Sequence, residues 1–169
     1  MAAAVAVLVR VAPVTGNPFR FVVETRAVIA APPAAVWRVL TDLARWSEWS
    51  GLVRYEGGRV AVGERLVLRL APSSGAGYAF RPTVTALDAP HRFAWVGRTG
   101  GVPGIFDGAH SYTLRPDGAG TELVDREVYS GLLAPLVRRT AAMRDAPAGF
   151  AEWDQSLKRR VEGGGAPAP

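Results

Sequence analysis

Residues 106–131, FDGAHSYTLRPDGAGTELVDREVYSG, decide the fold. Large and small residues alternate on either side of a Gly-rich turn, the period-2 pattern of two antiparallel strands joined by a tight connection. Pairing Leu114 with Leu123 sets Tyr112 opposite Asp125 and His110 opposite Glu127. Cross-strand partners share a face and alternate residues repeat it, so these residues lie together with Phe106 and Tyr129. The other face offers Ser111, Thr113, Val124, Arg126 and Val128, and we assign the aromatic set inward. Residues 132–161 follow at once. There Leu133, Leu136, Val137, Thr140, Met143, Phe150, Trp153 and Leu157 recur at spacings of three and four, with Arg138, Arg139, Arg144, Glu152 and Lys158 opposite, which predicts one long helix with a buried stripe. Pro147 and Gly149 predict a kink or short break near Ala146. A curved sheet closing over one helix is the shape these patterns describe, and such a shape makes a pocket.

Upstream, Phe21, Val23, Ala27 and Ile29 mark a strand that Pro32 and Pro33 stop. Proline suits a first helical turn, so residues 34–40 become a short helix with Val36, Trp37 and Leu40 on one side. Asp42 is placed to cap a second short helix carrying Leu43, Trp46 and Trp49, the two tryptophans as packing anchors. From Gly51 to about Ser130 the chain reads as strand and turn. A weak strand at 52–55 is followed by 65–70, 78–87 and a strand holding Phe93 and Trp95, in antiparallel series.

A chain of 169 residues fits one domain and can bury roughly 70% of its unfolded surface, so its core needs no staples. Cysteine is absent and there are two histidines, which excludes a disulfide framework, a thiolate site and a His-rich zinc site; no metal or cofactor is expected. Met1 to Val9 is apolar but lacks a basic start and is far shorter than a membrane span. We read residues 1–20 as a loosely ordered extension, 21–162 as the domain and 163–169 as a disordered tail. With no spanning segment, a cytoplasmic protein is the default expectation, as monomer or homodimer. The net charge of +5 invites nucleic acid, but the basic residues are mostly arginines scattered singly along strands, with clusters only at Arg138-Arg139 and Lys158-Arg159-Arg160, and lack interleaved aromatics, so no specific nucleic-acid binding is expected.

Several of these stretches resemble one known family. They are Ala30 through Asp42 with the Pro32-Pro33 pair, Trp46 and Trp49, Val62-Gly63-Glu64, Asp88 through Trp95, His110-Ser111-Tyr112, Gly120 through Leu123, and Glu127 through Leu132. Their order is similar to that of the START-like or SRPBCC superfamily, which holds polyketide cyclases/dehydrases and lipid-transfer domains. The resemblance implies an α+β helix-grip fold: a curved antiparallel sheet of about seven strands wrapped around a long C-terminal helix, with two short helices after the first strand. It departs from the usual pattern at Pro147 and Gly149.

The function expected from residues and resemblance together is binding of a hydrophobic or amphipathic small molecule, such as a lipid, a polyketide-like aromatic or an isoprenoid. Its site would be a cavity lined by Phe80, Trp95, Phe106, His110, Tyr112, Glu127, Tyr129, Leu133, Leu136, Thr140 and Phe150. An alternative is a cyclase or dehydratase in which His110 and Glu127 move protons, because a carboxylate orients an imidazole and raises its basicity. The same pair also reads as a satisfied polar contact between strands. No Gly-x-Ser-x-Gly elbow is present, so a nucleophilic triad is not indicated. The glycines of 97–104 lack a Gly-Lys-Ser/Thr ending and precede a strand; they read as a loop or lid, not a phosphate cradle. A co-chaperone-like interaction module is a third reading, and would need an exposed apolar patch.

Overall fold

The computed structural model describes residues 8–13, 17–71 and 77–163. The apolar start before Leu8 and the expected tail beyond Gly163 lie outside the described residues. The strands are β1 (Leu8–Pro13), β2 (Arg20–Ile29), β3 (Val53–Gly58), β4 (Leu66–Leu70), β5 (Tyr78–Phe80), β6 (Thr83–Asp88), β7 (Arg92–Arg98), β8 (Asp107–Asp117) and β9 (Gly120–Ser130). The helices are α1 (Pro33–Thr41), α2 (Ala134–Val137) and α3 (Ala141–Gly163), with 3₁₀ turns at Leu43–Glu48 and Thr99–Gly101.

Six strands form an antiparallel sheet in the order β1-β2-β9-β8-β7-β6, and β3-β4-β5 form a second. The two are joined where Arg65 bridges Thr83 and the Leu66 amide donates to the Pro82 carbonyl at 2.9 Å. Two features raise the strand count above the expected seven. Residues 78–87 split into β5 and β6 because Pro82 has no amide to give a ladder. Leu8–Pro13, within the stretch read as a loose extension, pairs with β2 from Leu8↔Arg26 to Pro13↔Phe21.

The core lies between the six-stranded sheet, α1 and α3. Pro33 opens α1, and Val36 and Leu40, four residues apart, are fully buried. The Trp46 indole donates to the Leu40 carbonyl at 3.0 Å, taking up one of the acceptors a helix end leaves free. At the second turn Asp42 acts through its backbone: its carbonyl accepts from Arg45 at 3.1 Å, and its side chain makes no cap bond. Trp153 of α3 meets Trp46 and Trp49, each at a centroid distance of 4.7 Å. Burying side chains such as Leu157 and Trp153 stabilises the fold by about 2 kcal/mol each. Polar bonds fix the helix lengthwise on β2: Lys158 Nζ donates to the Val28 carbonyl, and the Ala30 amide donates to Glu162, both at 2.7 Å.

The expected single helix from 132 is interrupted at residues 138–140, not near Ala146; α3 runs through Pro147. Thr140 ends one segment and begins the next. Its hydroxyl donates to the Val137 carbonyl at 2.7 Å and accepts from the Met143 amide at 3.4 Å, the geometry of an N-cap.

Candidate functional site

The register of the last hairpin places the chemistry. His110 pairs with Glu127, Tyr112 with Asp125 and Leu114 with Leu123, as the alternation predicts. Carried across the neighbouring strands, these pairs form rows on one face of the sheet. Trp95, His110, Glu127 and Val23 make one, and Phe93, Tyr112, Asp125 and Thr25 the next. A third runs through Gly97, Gly108, Tyr129 and Phe21. α3 descends on this face and sets Asp154 against Thr25, whose hydroxyl donates to Asp154 Oδ2 at 2.5 Å.

His110 lies between two carboxylates. Its Nε2 is 2.7 Å from Asp125 Oδ1 and its Nδ1 is 3.5 Å from Glu127 Oε2. The Tyr129 hydroxyl donates to Glu127 Oε2 at 2.7 Å. The imidazole is also stacked between rings, with Trp95 at 4.7 Å and Phe150 at 5.3 Å between centroids. Despite their proximity, His110 Nε2 and Asp125 Oδ1 are not aligned as a hydrogen bond, and Asp154 Oδ1 also has no partner. We therefore treat the 2.7 Å contact as an ion pair.

The electrostatics follow from burial. Desolvation opposes charge on His110, but the fields of Asp125 and Glu127 outweigh it, and the pKa is pushed up to about 10. Burial and the neighbouring Asp125 charge hold Asp154 well above the carboxylate range, so Asp154 is the protonated member of the pair. Burial also raises Asp125, partly offset by His110. The arrangement is a charged imidazole on one carboxylate, backed by a neutral acid. Burial, with the charges of Asp125 and Glu127, likewise keeps the Tyr112 and Tyr129 hydroxyls neutral.

The cluster reaches solvent at one rim. His110 and Glu127 keep 11% and 17% of their side-chain surface exposed, whereas Asp125 keeps 1%. Glu127 rests over Gly108, where a Cβ would lie 2.4 Å from Glu127 Oε1. Phe106 stacks on Tyr129 at 5.7 Å, and Phe106, Met143 and Phe150 pack against a core of Phe21, Val23, Tyr129 and Ala134. The exposed Tyr78 of β5 stands close enough for the Glu127 charge to raise its pKa, though burial of its hydroxyl contributes more.

Of the residues expected to line a cavity, the structure gathers Trp95, Phe106, His110, Tyr112, Glu127, Tyr129 and Phe150 around this point. Phe80 is half-buried on the second sheet beside Tyr78. Leu133, Leu136 and Thr140 are exposed instead of facing the sheet: the interruption at 138–140 shifts the phase, so Ala134 is the buried side of α2. Around His110 the rings of Trp95, Tyr112 and Phe150 pack against the imidazole at 4.7, 4.7 and 5.3 Å between centroids. A small cavity of about 170 Å³ lies elsewhere, among Arg38, Val39, Asp42, Arg45, Trp49 and Arg160. Sequence reasoning missed two members of the cluster, Thr25 and Asp154, and placed Asp125 on the inward face without giving it a role. Thr25 and Asp125 occupy inward positions of the alternation, and Asp154 lies on the buried stripe, four after Phe150 and three before Leu157, so periodicity carried the signal.

A family model described as "Polyketide cyclase / dehydrase and lipid transport" matches residues 20–162. Among solved structures, a protein from Chromobacterium violaceum superimposes with a TM-score of 0.64 at 23% identity, covering 83% of this chain and 97% of that one. The di-domain ARO/CYC BexL from the BE-7585A biosynthetic pathway gives 0.67 at 14% identity, over 93% of this chain and 53% of its own. The di-domain ARO/CYC StfQ from the steffimycin biosynthetic pathway gives 0.68 at 13%, over 86% and 52%. No curated protein sequence matches the chain. At these identities the likeness is one of fold.

Proposed function

The chain belongs to the polyketide cyclase/dehydrase and lipid-transport family, and within it we propose that this protein binds an apolar or amphipathic small molecule whose polar group meets Glu127 and His110. One observation carries the reading: His110 and Glu127, both partly exposed, adjoin Phe150 and Tyr129, and Phe106 stacks on Tyr129. An aromatic or isoprenoid body entering there displaces Phe150 from His110 and stacks in its place, and burial of its apolar surface at about 25 cal/mol per Å² supplies the affinity. A ligand carbonyl or hydroxyl oxygen then accepts from the charged imidazole, or a ligand hydroxyl donates to Glu127, which sets its orientation.

The cyclase or dehydratase reading rests on the same atoms, with His110 held between Asp125 and Glu127. General acid–base catalysis works best with a pKa near the working pH. At about 10, His110 is better suited to donating a fixed hydrogen bond than to giving up its proton, and binding is the reading we favour.

Native mass spectrometry of freshly purified protein tests the proposal, followed by titration of 8-anilinonaphthalene-1-sulfonate and of candidate aromatic and fatty ligands into wild type, Phe150→Ala and Glu127→Gln. We expect a bound small molecule or saturable binding, weakened about tenfold or more by either substitution. Absence of any saturable ligand, or binding indifferent to both substitutions, overturns it.

A further inference from the structure

The end of the sheet beyond the rim carries a second surface. The Gly131 amide donates to the Phe19 carbonyl, and the Leu132 and Leu133 amides donate to Gly104 and Ile105. These bonds draw three chain segments together and bring up Phe19, Val102, Leu132, Leu133 and Leu136, all exposed, with Leu132 and Leu136 at 70% and 68%. Ala134, between them, is fully buried, so the leucines occupy the outer side of a turn anchored in the core. The turn after α2 and the start of α3 add three exposed arginines, Arg138, Arg139 and Arg144, whereas Arg20 and Arg98 share the row through Asp107 and Ser130, which alternates with that of Phe21 and Tyr129 and so faces the other side of the sheet. None of the three forms an ion pair with a described residue. Asp145 follows Arg144 in sequence, and Asp107 accepts from the Gly104 amide at 3.0 Å.

We propose that this face docks on an anionic lipid bilayer, with Leu132 and Leu136 entering the interface and the arginines meeting lipid headgroups. Leu, Val and Phe partition into hydrocarbon, whereas Leu and Val are under-represented among side chains that anchor protein partners. Arginine near an anionic surface adds attraction without demanding a shaped counterpart. A second copy of the chain is a poorer occupant, because a two-fold interface brings two sets of the same three arginines together without a matching set of carboxylates. Docking stands apart from the ligand reading, since none of these residues touches His110 or Glu127.

Sedimentation with phosphatidylcholine vesicles, with and without about 30% phosphatidylglycerol, tests it at about 0.1 M salt. Wild type is expected to bind the anionic vesicles. The pairs Leu132→Ser/Leu136→Ser and Arg139→Ser/Arg144→Ser should each lose about tenfold or more. Arg54→Ser/Arg92→Ser removes the same charge from exposed positions elsewhere and should leave binding within about twofold. The proposal is overturned by no binding to anionic vesicles, or by equal loss in the Arg54/Arg92 control, which reduces the effect to net charge. Concentration-dependent dimerisation abolished by the leucine pair, or uptake of an acidic protein in preference to vesicles, overturns it in favour of a protein partner.

Discussion

The Thr25 hydroxyl donates to Asp154 Oδ2 at 2.5 Å, joining β2 to α3 across 129 positions of sequence inside a fully buried contact. This bond helps fix where the last helix settles on the sheet, and so which residues of α3 face His110. Thr25→Val keeps the shape but leaves that carboxyl oxygen unpaired. We expect about 1–3 kcal/mol of lost stability, read as a lower urea midpoint with an unchanged slope.

The cluster also predicts how stability depends on pH. His110 and Asp154 both bind protons more tightly folded than unfolded, so their contribution is fully present at low pH and is lost as pH rises. For His110 the window runs from about 6.5, its unfolded value, to about 10. Urea midpoints should fall steadily across that range. Asp154→Asn, which cannot ionise, should flatten the part of the slope that Asp154 supplies; a stability that climbs between pH 7 and 10 contradicts the assignment.

Gly108 makes room for the Glu127 carboxylate. Gly108→Ala should push that flexible group aside at a cost of no more than about 1 kcal/mol, while breaking its bond from Tyr129. Thermal unfolding should therefore change little and ligand affinity substantially. Equal affinity in the variant removes Glu127 from the binding role.

Trp95 stacks on His110, so ligands that displace Phe150 should alter tryptophan emission. Trp95→Ala should weaken binding by about 1–3 kcal/mol. His110→Ala separates the two functional readings: a binder loses affinity or selectivity, whereas an enzyme loses turnover by roughly a hundredfold while still holding substrate.

Gly131 has φ of 120°, and a Cβ there would lie 2.6 Å from the Ile105 carbonyl oxygen and 2.8 Å from that of Gly104. Rigid backbone cannot yield as a side-chain tip does. Gly131→Ala should cost about 2 kcal/mol or more and disturb the approach to α2, visible as a lower melting temperature.

Local periodicity determined much of this protein. The alternation through His110, Tyr112, Asp125 and Glu127 set both register and face, because a one-residue slip would turn every large side chain outward. The motifs around Pro32-Pro33, Trp46 and Trp49 located the short helices, since proline geometry and apolar spacing act within a few residues. Tertiary structure decided the rest. Pro147 sits inside α3 while the chain breaks at 138–140, because docking of Trp153, Asp154 and Leu157 on the sheet outweighs a local helix preference. That choice of phase turned Leu133, Leu136 and Thr140 to the surface and brought Asp154 to Thr25. The pairing of Asp154 with Thr25, 129 positions away, and with Asp125, and with it the proton balance of His110, depends on burial and distance in space, which no local pattern encodes.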